Sequence, residues 1–200
     1  PMLARMSLDG RLGPTLAFLP PWDGTIVRSE EGRTASVPSA FRNPPWLAFQ
    51  RSGDRFAVAK ADVDGPDAGT FVLTSLNIAG DTLFTGRFPF DAETITPQAA
   101  LSILSSWIGS LLYPDLVKAV RDQVHAPAVY PPITNIVVGR DGSIWVEQRV
   151  NASARRPYYV ITPAGQPWGT IELTRNARVA VAELGRAWVV QEDSLGVPSV

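Results

Sequence analysis

Apolar positions recur along this chain in short runs, each broken by a glycine-bearing turn. One pattern occurs three times. An apolar run leads to a turn with Gly, and an aromatic stands three residues beyond that Gly. The copies are Leu47-Ala48-Phe49, Gly53, Phe56-Ala57-Val58; Ile136-Val137-Val138, Gly142, Trp145-Val146; and Val179-Ala180-Val181, Gly185, Trp188-Val189-Val190. Each predicts two short strands joined by a tight hairpin, in which Gly supplies the positive φ. Arg140-Asp141-Gly142 is the clearest of these turns.

A second half-repeat lies between them. Phe71-Val72-Leu73-Thr74-Ser75-Leu76 leads through Ala79-Gly80 to Thr82-Leu83-Phe84, and Tyr158-Tyr159-Val160-Ile161-Thr162 leads through Ala164-Gly165 to Gly169-Thr170-Ile171-Glu172-Leu173. Near the start, Leu3-Ala4-Arg5-Met6-Ser7-Leu8 leads through Asp9-Gly10 to Thr15-Leu16-Ala17-Phe18-Leu19. The two half-repeats alternate, so one unit is four antiparallel strands. Gly142 and Gly185 are 43 residues apart, within the period of roughly 40–50 residues of a four-stranded propeller blade.

The expected layout follows. Residues 1–45 hold the end of one blade and an ambiguous stretch. There, Thr25-Ile26-Val27-Arg28 and Thr34-Ala35-Ser36-Val37 read as an extra hairpin or as part of a degenerate blade. Residues 46–96 form a blade, 97–128 a helical insertion, 129–176 a further blade, and 177–200 the start of the next. Gly53 and Gly142 are 89 residues apart, and the insertion explains that break in the period. Thr96-Pro97 is a helix start, with a capping hydroxyl before a Pro at the first helical position. Leu101, Leu104, Ile108, Leu111 and Leu112 follow at helical spacing. Pro114 opens a second helix with Leu116, Val117 and Val120 on one side, and Pro127, Pro131 and Pro132 return the chain to strand.

Composition narrows the chemistry. Eighteen Lys and Arg against nineteen Asp and Glu give a net charge of −1, which argues against a nucleic-acid partner. Hydrophobic residues at 45% allow a sizeable core. With no cysteine, disulfides, thiolate metal sites and a Cys nucleophile are excluded; with His125 the sole histidine, a His-based metal cluster is too. No apolar run reaches the roughly 18 residues of a membrane span; the nearest, 99–112, is interrupted by Ser102, Ser105, Ser106 and Ser110. The chain begins at Pro1 with no visible signal peptide and ends within the strand-like Val197-Pro198-Ser199-Val200. It reads as a piece of a longer protein, and an open arc of blades is expected to be marginal or aggregation-prone by itself.

Three stretches carry a family resemblance: Asp141-Gly142-Ser143-Ile144-Trp145-Val146-Glu147, Tyr159-Val160-Ile161-Thr162-Pro163-Ala164-Gly165, and the run from Arg186-Ala187-Trp188-Val189-Val190 through Asp193-Ser194-Leu195-Gly196-Val197-Pro198. Together they resemble six-bladed β-propellers of the NHL-repeat and streptogramin-lyase-like group, most of all exported bacterial ones. The fold class expected is therefore all-β: a six-bladed propeller, about three blades of it present, with a short α-helical insertion. The resemblance implies an extracytoplasmic protein (periplasmic, lipoprotein or secreted), monomeric as a full ring. Repeats of this kind specify a fold better than a function.

Several residues invite a functional reading. Phe56, Trp145 and Trp188 suit ligand stacking, but aromatics at equivalent repeat positions more simply pack between blades. Asp62-Val63-Asp64-Gly65-Pro66-Asp67 suggests a calcium loop, yet Pro66 falls at position five and Leu73 at position twelve, where ligands are required. It is better read as a solvated loop.

The resemblance puts Asp62, Asp64 and Asp67 on the same rim as the next blade's basic loop, Arg149, Asn151, Arg155 and Arg156. There they would orient a small polar ligand or form surface ion pairs. Asn135 is a further rim candidate. Gluconolactonase-like propellers hold a divalent metal with Glu and Asn or Asp at inner-strand ends, where Asn135 and Glu147 are the only counterparts, too few for a site. His125 reads as a cap or surface group, and no Ser stands in a Gly-x-Ser-x-Gly turn. No catalytic residue, metal ligand or cofactor is assigned. The insertion reads as a plug on the propeller, or as presenting Trp107, Ile108 and Leu111 to a partner. The first functional reading is a non-enzymatic binding or scaffold propeller with a small polar ligand or a protein partner. The alternative is a metal-dependent hydrolase or lyase of the lactonase or streptogramin-lyase type, its site completed by further blades.

Overall fold

The computed structural model describes residues 2–6, 11–18, 24–38, 41, 43–108, 113–149, 155–192 and 198–199. In chain order the elements are β1 (Met2–Met6), β2 (Leu12–Phe18), β3 (Gly24–Arg28), β4 (Thr34–Pro38), β5 (Trp46–Phe49), β6 (Arg55–Asp62), β7 (Thr70–Asn77), β8 (Thr82–Pro89), α1 (Pro97–Ile108), α2 (Pro114–Gln123), β9 (Ile133–Val138), β10 (Ile144–Gln148), β11 (Arg155–Ile161), β12 (Pro167–Thr174), β13 (Ala177–Glu183), β14 (Arg186–Glu192) and β15 (Pro198–Ser199). The described fold is mostly β and every strand pairing is antiparallel.

The strands form meanders, each strand pairing with the next in sequence. β5-β6-β7-β8 make one four-stranded sheet, β9-β10-β11-β12 a second, and β13-β14-β15 a three-stranded third. β1-β2 and β3-β4 are separate two-stranded sheets. The turn glycines Gly53 and Gly142 both sit at φ +83°, the left-handed region that other residues reach only with strain.

Successive side chains point to opposite faces, and inner strands such as β6, β7 and β10 bury both, while β8 and β12 stay largely exposed. On β6, Ala57, Ala59 and Ala61 face one way with Phe71 and Leu73, against Ile136, Val138, Ile144, Val146 and Ile161 of the β9–β12 sheet. Phe56 and Leu76 face the other way, with Leu3 of β1 and Leu47 packed against them. In the β9–β12 sheet, the residues between those just named, Trp145, Tyr158 and Val160, pack on Val179 and Ala182 of the β13 hairpin. The sheets therefore stack in chain order: β1–β2, β5–β8, β9–β12, β13–β15. The first interface between four-stranded sheets also holds an aromatic group, with Tyr159 at 6.1 Å edge-on to Phe71 and 6.0 Å from Phe88. The first strands of successive meanders, β5, β9 and β13, are neighbours.

The insertion starts as its sequence predicts. The Thr96 hydroxyl accepts the N–H of Ala99 at 3.2 Å, capping α1 ahead of Pro97. Pro114 opens α2. Leu104, Ala119 and Val120 of the two helices form a small core with Val27, joined by Ala35, Val117 and Val124. The apolar side of the helix pair is thus taken up by the β3–β4 hairpin. Gln123 reinforces the contact: its amide donates to the Arg28 carbonyl at 2.7 Å and accepts the Arg28 N–H at 3.2 Å. Thr94 and Val129 form a bridge at the base of the insertion. Ile95 N–H to the Ala128 carbonyl and Tyr130 N–H to the Glu93 carbonyl close that stem. Among the described residues, no helix is long and apolar enough to cross a membrane.

Candidate functional site

Each meander reverses between its first and second strands at one end of the stack, and side chains there tie one turn to the next. Gln50 donates to the Arg140 carbonyl at 2.7 Å, and Arg55 donates to the Gly142 carbonyl at 2.8 Å. Asp141 carries the link onward. One carboxylate oxygen accepts the Ser143 N–H at 3.0 Å and its hydroxyl at 2.6 Å; the other accepts the Leu184 N–H at 2.8 Å. The Ser143 hydroxyl in turn accepts the Trp145 indole N–H at 3.1 Å. Burial pushes the Asp141 carboxyl up, but the hydrogen bonds from Leu184, Ser143 and its own N–H outweigh it and hold the group below its ordinary value. Phe56 and Trp145 are buried in the stack, and Trp188 is half-buried.

The rim candidates lie at the opposite end. Asp62 and Asp67 both pair with Arg87 of β8, at 2.7 and 3.2 Å. Asp64 accepts the Ala128 N–H at 2.8 Å, so the acidic loop grips the stem of the insertion. Arg149 lies over the Tyr130 ring at 4.8 Å, on the same stem. Arg155 pairs with Glu172 at 2.8 Å between exposed side chains. Asn151 lies outside the described residues, as do Leu111 and the side chains of Trp107 and Ile108. Asp64 and Arg149 thus both reach the residues 128–130 stem, by contacts within the protein.

Arg156 belongs to a different group. Glu147 is 6% exposed. One of its oxygens accepts from Arg156 at 3.1 Å, the other from the Tyr158 hydroxyl at 2.8 Å. That hydroxyl also accepts the Val179 N–H from the neighbouring sheet, at 3.3 Å. Burial is the main reason the Tyr158 phenol is pushed up to about 12; the Val179 N–H opposes the shift and Glu147 adds to it. Asn135, half-buried, stands opposite Glu147 in the β9–β10 register. The pair does not fit a divalent-metal centre, because both Glu147 oxygens are already engaged. Among the described residues no three His, Cys, Asp or Glu side chains converge as a metal cluster would.

A groove of about 340 Å³ runs along β5, β9 and β13. Phe49, Val137, Ala180 and Val181 supply apolar lining, and Arg51 and Arg140 supply charge. Phe49 is 50% exposed. The Arg140 guanidinium sits 4.9 Å over the Trp188 ring, whose other cationic neighbour, Arg186, is at 5.6 Å. Neither Arg51 nor Arg140 is among the rim candidates of the sequence. The available signal was positional: Arg51 and Arg140 each stand two residues before the turn Gly of their repeat.

No family model matches the chain, and no curated protein matches it.

Proposed function

We propose that the meanders are successive blades of a six-bladed β-propeller of the NHL-repeat and streptogramin-lyase-like type, and that the protein is a non-enzymatic binding or scaffold propeller. The observation that carries this reading is the adjacency of β5, β9 and β13. Each meander runs outward from its first strand, and these first strands together line a groove, as inner strands line the channel of a propeller. Binding is favoured over catalysis by the use made of the polar groups. Asp62, Asp67, Asp64, Asp141, Glu147, Arg155 and Arg156 are all held in pairs that join loops, turns or strands. An action outside the cytoplasm, by a ring that is monomeric when complete, is supported by the sequence resemblance alone.

The test is to incubate the full-length protein with a panel of small organic acids, sugars and lactones, with and without divalent metal. Melting temperature is read first, and each mixture is then checked by NMR for chemical change. The expected result is a raised melting temperature with ligands recovered unaltered. Metal-dependent turnover of a lactone or of another panel member would overturn the reading in favour of the hydrolase or lyase class.

A further inference from the structure

We infer that the groove along β5, β9 and β13 is a binding site for a small amphiphilic organic acid, with the carboxylate held by Arg51 and Arg140 and the hydrocarbon body laid on Phe49, Val137 and Val181. This assignment rests on the binding reading above, but not on closure of the ring. At about 340 Å³ the groove has the size of a compact ligand site. Its lining combines an apolar floor with a small number of polar groups of one sign, the usual composition of a site that orients a ligand by one charged end.

The charge is unbalanced where it matters. Among the described residues, neither Arg51 nor Arg140 has a carboxylate within ion-pair distance. The nearby acids are engaged elsewhere: Asp141 accepts from Ser143 and Leu184, and Glu183 lies 3.5 Å from Arg186. Arg140 is also presented rather than free to wander. Its backbone carbonyl is held by Gln50, its N–H by the Ala182 carbonyl, and its guanidinium lies over Trp188. A planar guanidinium fixed in this way suits a carboxylate, which it can meet with two parallel hydrogen bonds. The exposed face of Phe49 beside it offers an apolar body somewhere to go.

The experiment uses 4-phenylbutyrate as probe and 4-phenylbutanamide as its uncharged counterpart, by titration calorimetry on the full-length protein. The carboxylate is expected to bind about tenfold more tightly than the amide. Arg51→Gln and Arg140→Gln are each expected to weaken it by up to about fivefold, as an exposed ion pair contributes. Ala180→Glu, at an exposed position that leaves the core intact, is expected to abolish binding by placing in the groove a carboxylate that repels the ligand's and competes with it for the arginines. Equal affinity for acid and amide, or unchanged affinity in all three variants, overturns the assignment while leaving a binding function standing. Chemical conversion of the probe, lost in the same variants, would keep the site and overturn the non-enzymatic reading instead. No measurable binding of the probe overturns the assignment.

Discussion

The Asp141 carboxylate accepts the backbone N–H of Leu184 at 2.8 Å, so a turn in one sheet holds a turn in the next. The two residues are 43 positions apart, one repeat unit. The other carboxylate oxygen shapes the turn through Ser143, whose hydroxyl orients Trp145 between the sheets. One side chain therefore sets a local conformation and a long-range contact together.

Asp141→Ala should destabilise the protein by about 1–2 kcal/mol, the cost of losing hydrogen bonds to a partly exposed charge. Because the folded carboxyl lies below its ordinary value, its contribution is complete above about pH 4 and is lost as pH falls through the depressed folded pKa. Urea midpoints taken from pH 6 to pH 2 should fall less steeply in the variant than in the parent. Equal slopes would mean that Asp141 does not carry the acid sensitivity assigned to it.

Gly53 and Gly142 share a φ of +83° but differ in what surrounds them. A Cβ at Gly53 meets open space, whereas one at Gly142 collides with the Arg55 guanidinium. Gly53→Ala should cost about 1–2 kcal/mol, the backbone term alone. Gly142→Ala should cost more, because it also expels Arg55 from the Gly142 carbonyl. Combining each with Arg55→Ala tests this: coupling is expected with Gly142 and not with Gly53.

Tyr158→Phe removes a hydroxyl that donates to Glu147 and accepts from Val179. It leaves a buried carboxylate oxygen and a buried N–H short of partners, at a cost of about 1–3 kcal/mol. The phenol also carries a sign for alkaline pH. With its folded pKa raised to about 12 from an ordinary value near 10, its contribution is intact below about pH 10 and is lost as pH climbs towards 12. Stability of the parent should decline over that range more steeply than that of Tyr158→Phe, as read by circular dichroism melts.

Ser75 presents the opposite case. It is fully buried on β7, and its hydroxyl has no hydrogen-bond partner among the described residues. Ser75→Ala removes an unsatisfied polar group and should raise stability by up to about 1 kcal/mol. A loss of that size in chemical denaturation would point to a role for the hydroxyl that its surroundings do not display.

Local features were legible in the sequence where local physics decides them. Gly53 and Gly142 mark turns because only Gly sits easily at positive φ, and Thr96-Pro97 marks a helix start because a cap and a fixed φ act within one turn. The apolar run Ile144-Trp145-Val146 just after the Gly142 turn marked a strand, and the aromatic's place in the repeat marked its burial. Contacts between distant segments were not legible. No spacing signals that Arg87 neutralises Asp62 and Asp67, or that Glu147 lies beneath Arg156 and Tyr158. The α1–α2 stripe announces that it needs an apolar cover, but a hairpin some ninety residues earlier supplies it. The groove arises between three strands separated by the insertion and by a whole meander, so only Arg51 and Arg140, at matching repeat positions, hinted at it.

The chain-order stacking of the sheets bears on how the protein is made. As it leaves the ribosome, each meander meets the sheet it needs already in place, and can dock before the next is synthesised. The β3–β4 hairpin has no such convenience. Val27 emerges well before Leu104 and Val120, and until those helices arrive its apolar side has nothing of its own to cover it. Among the described core clusters, that hairpin waits through the β5–β8 meander and the start of the insertion before its packing partners exist.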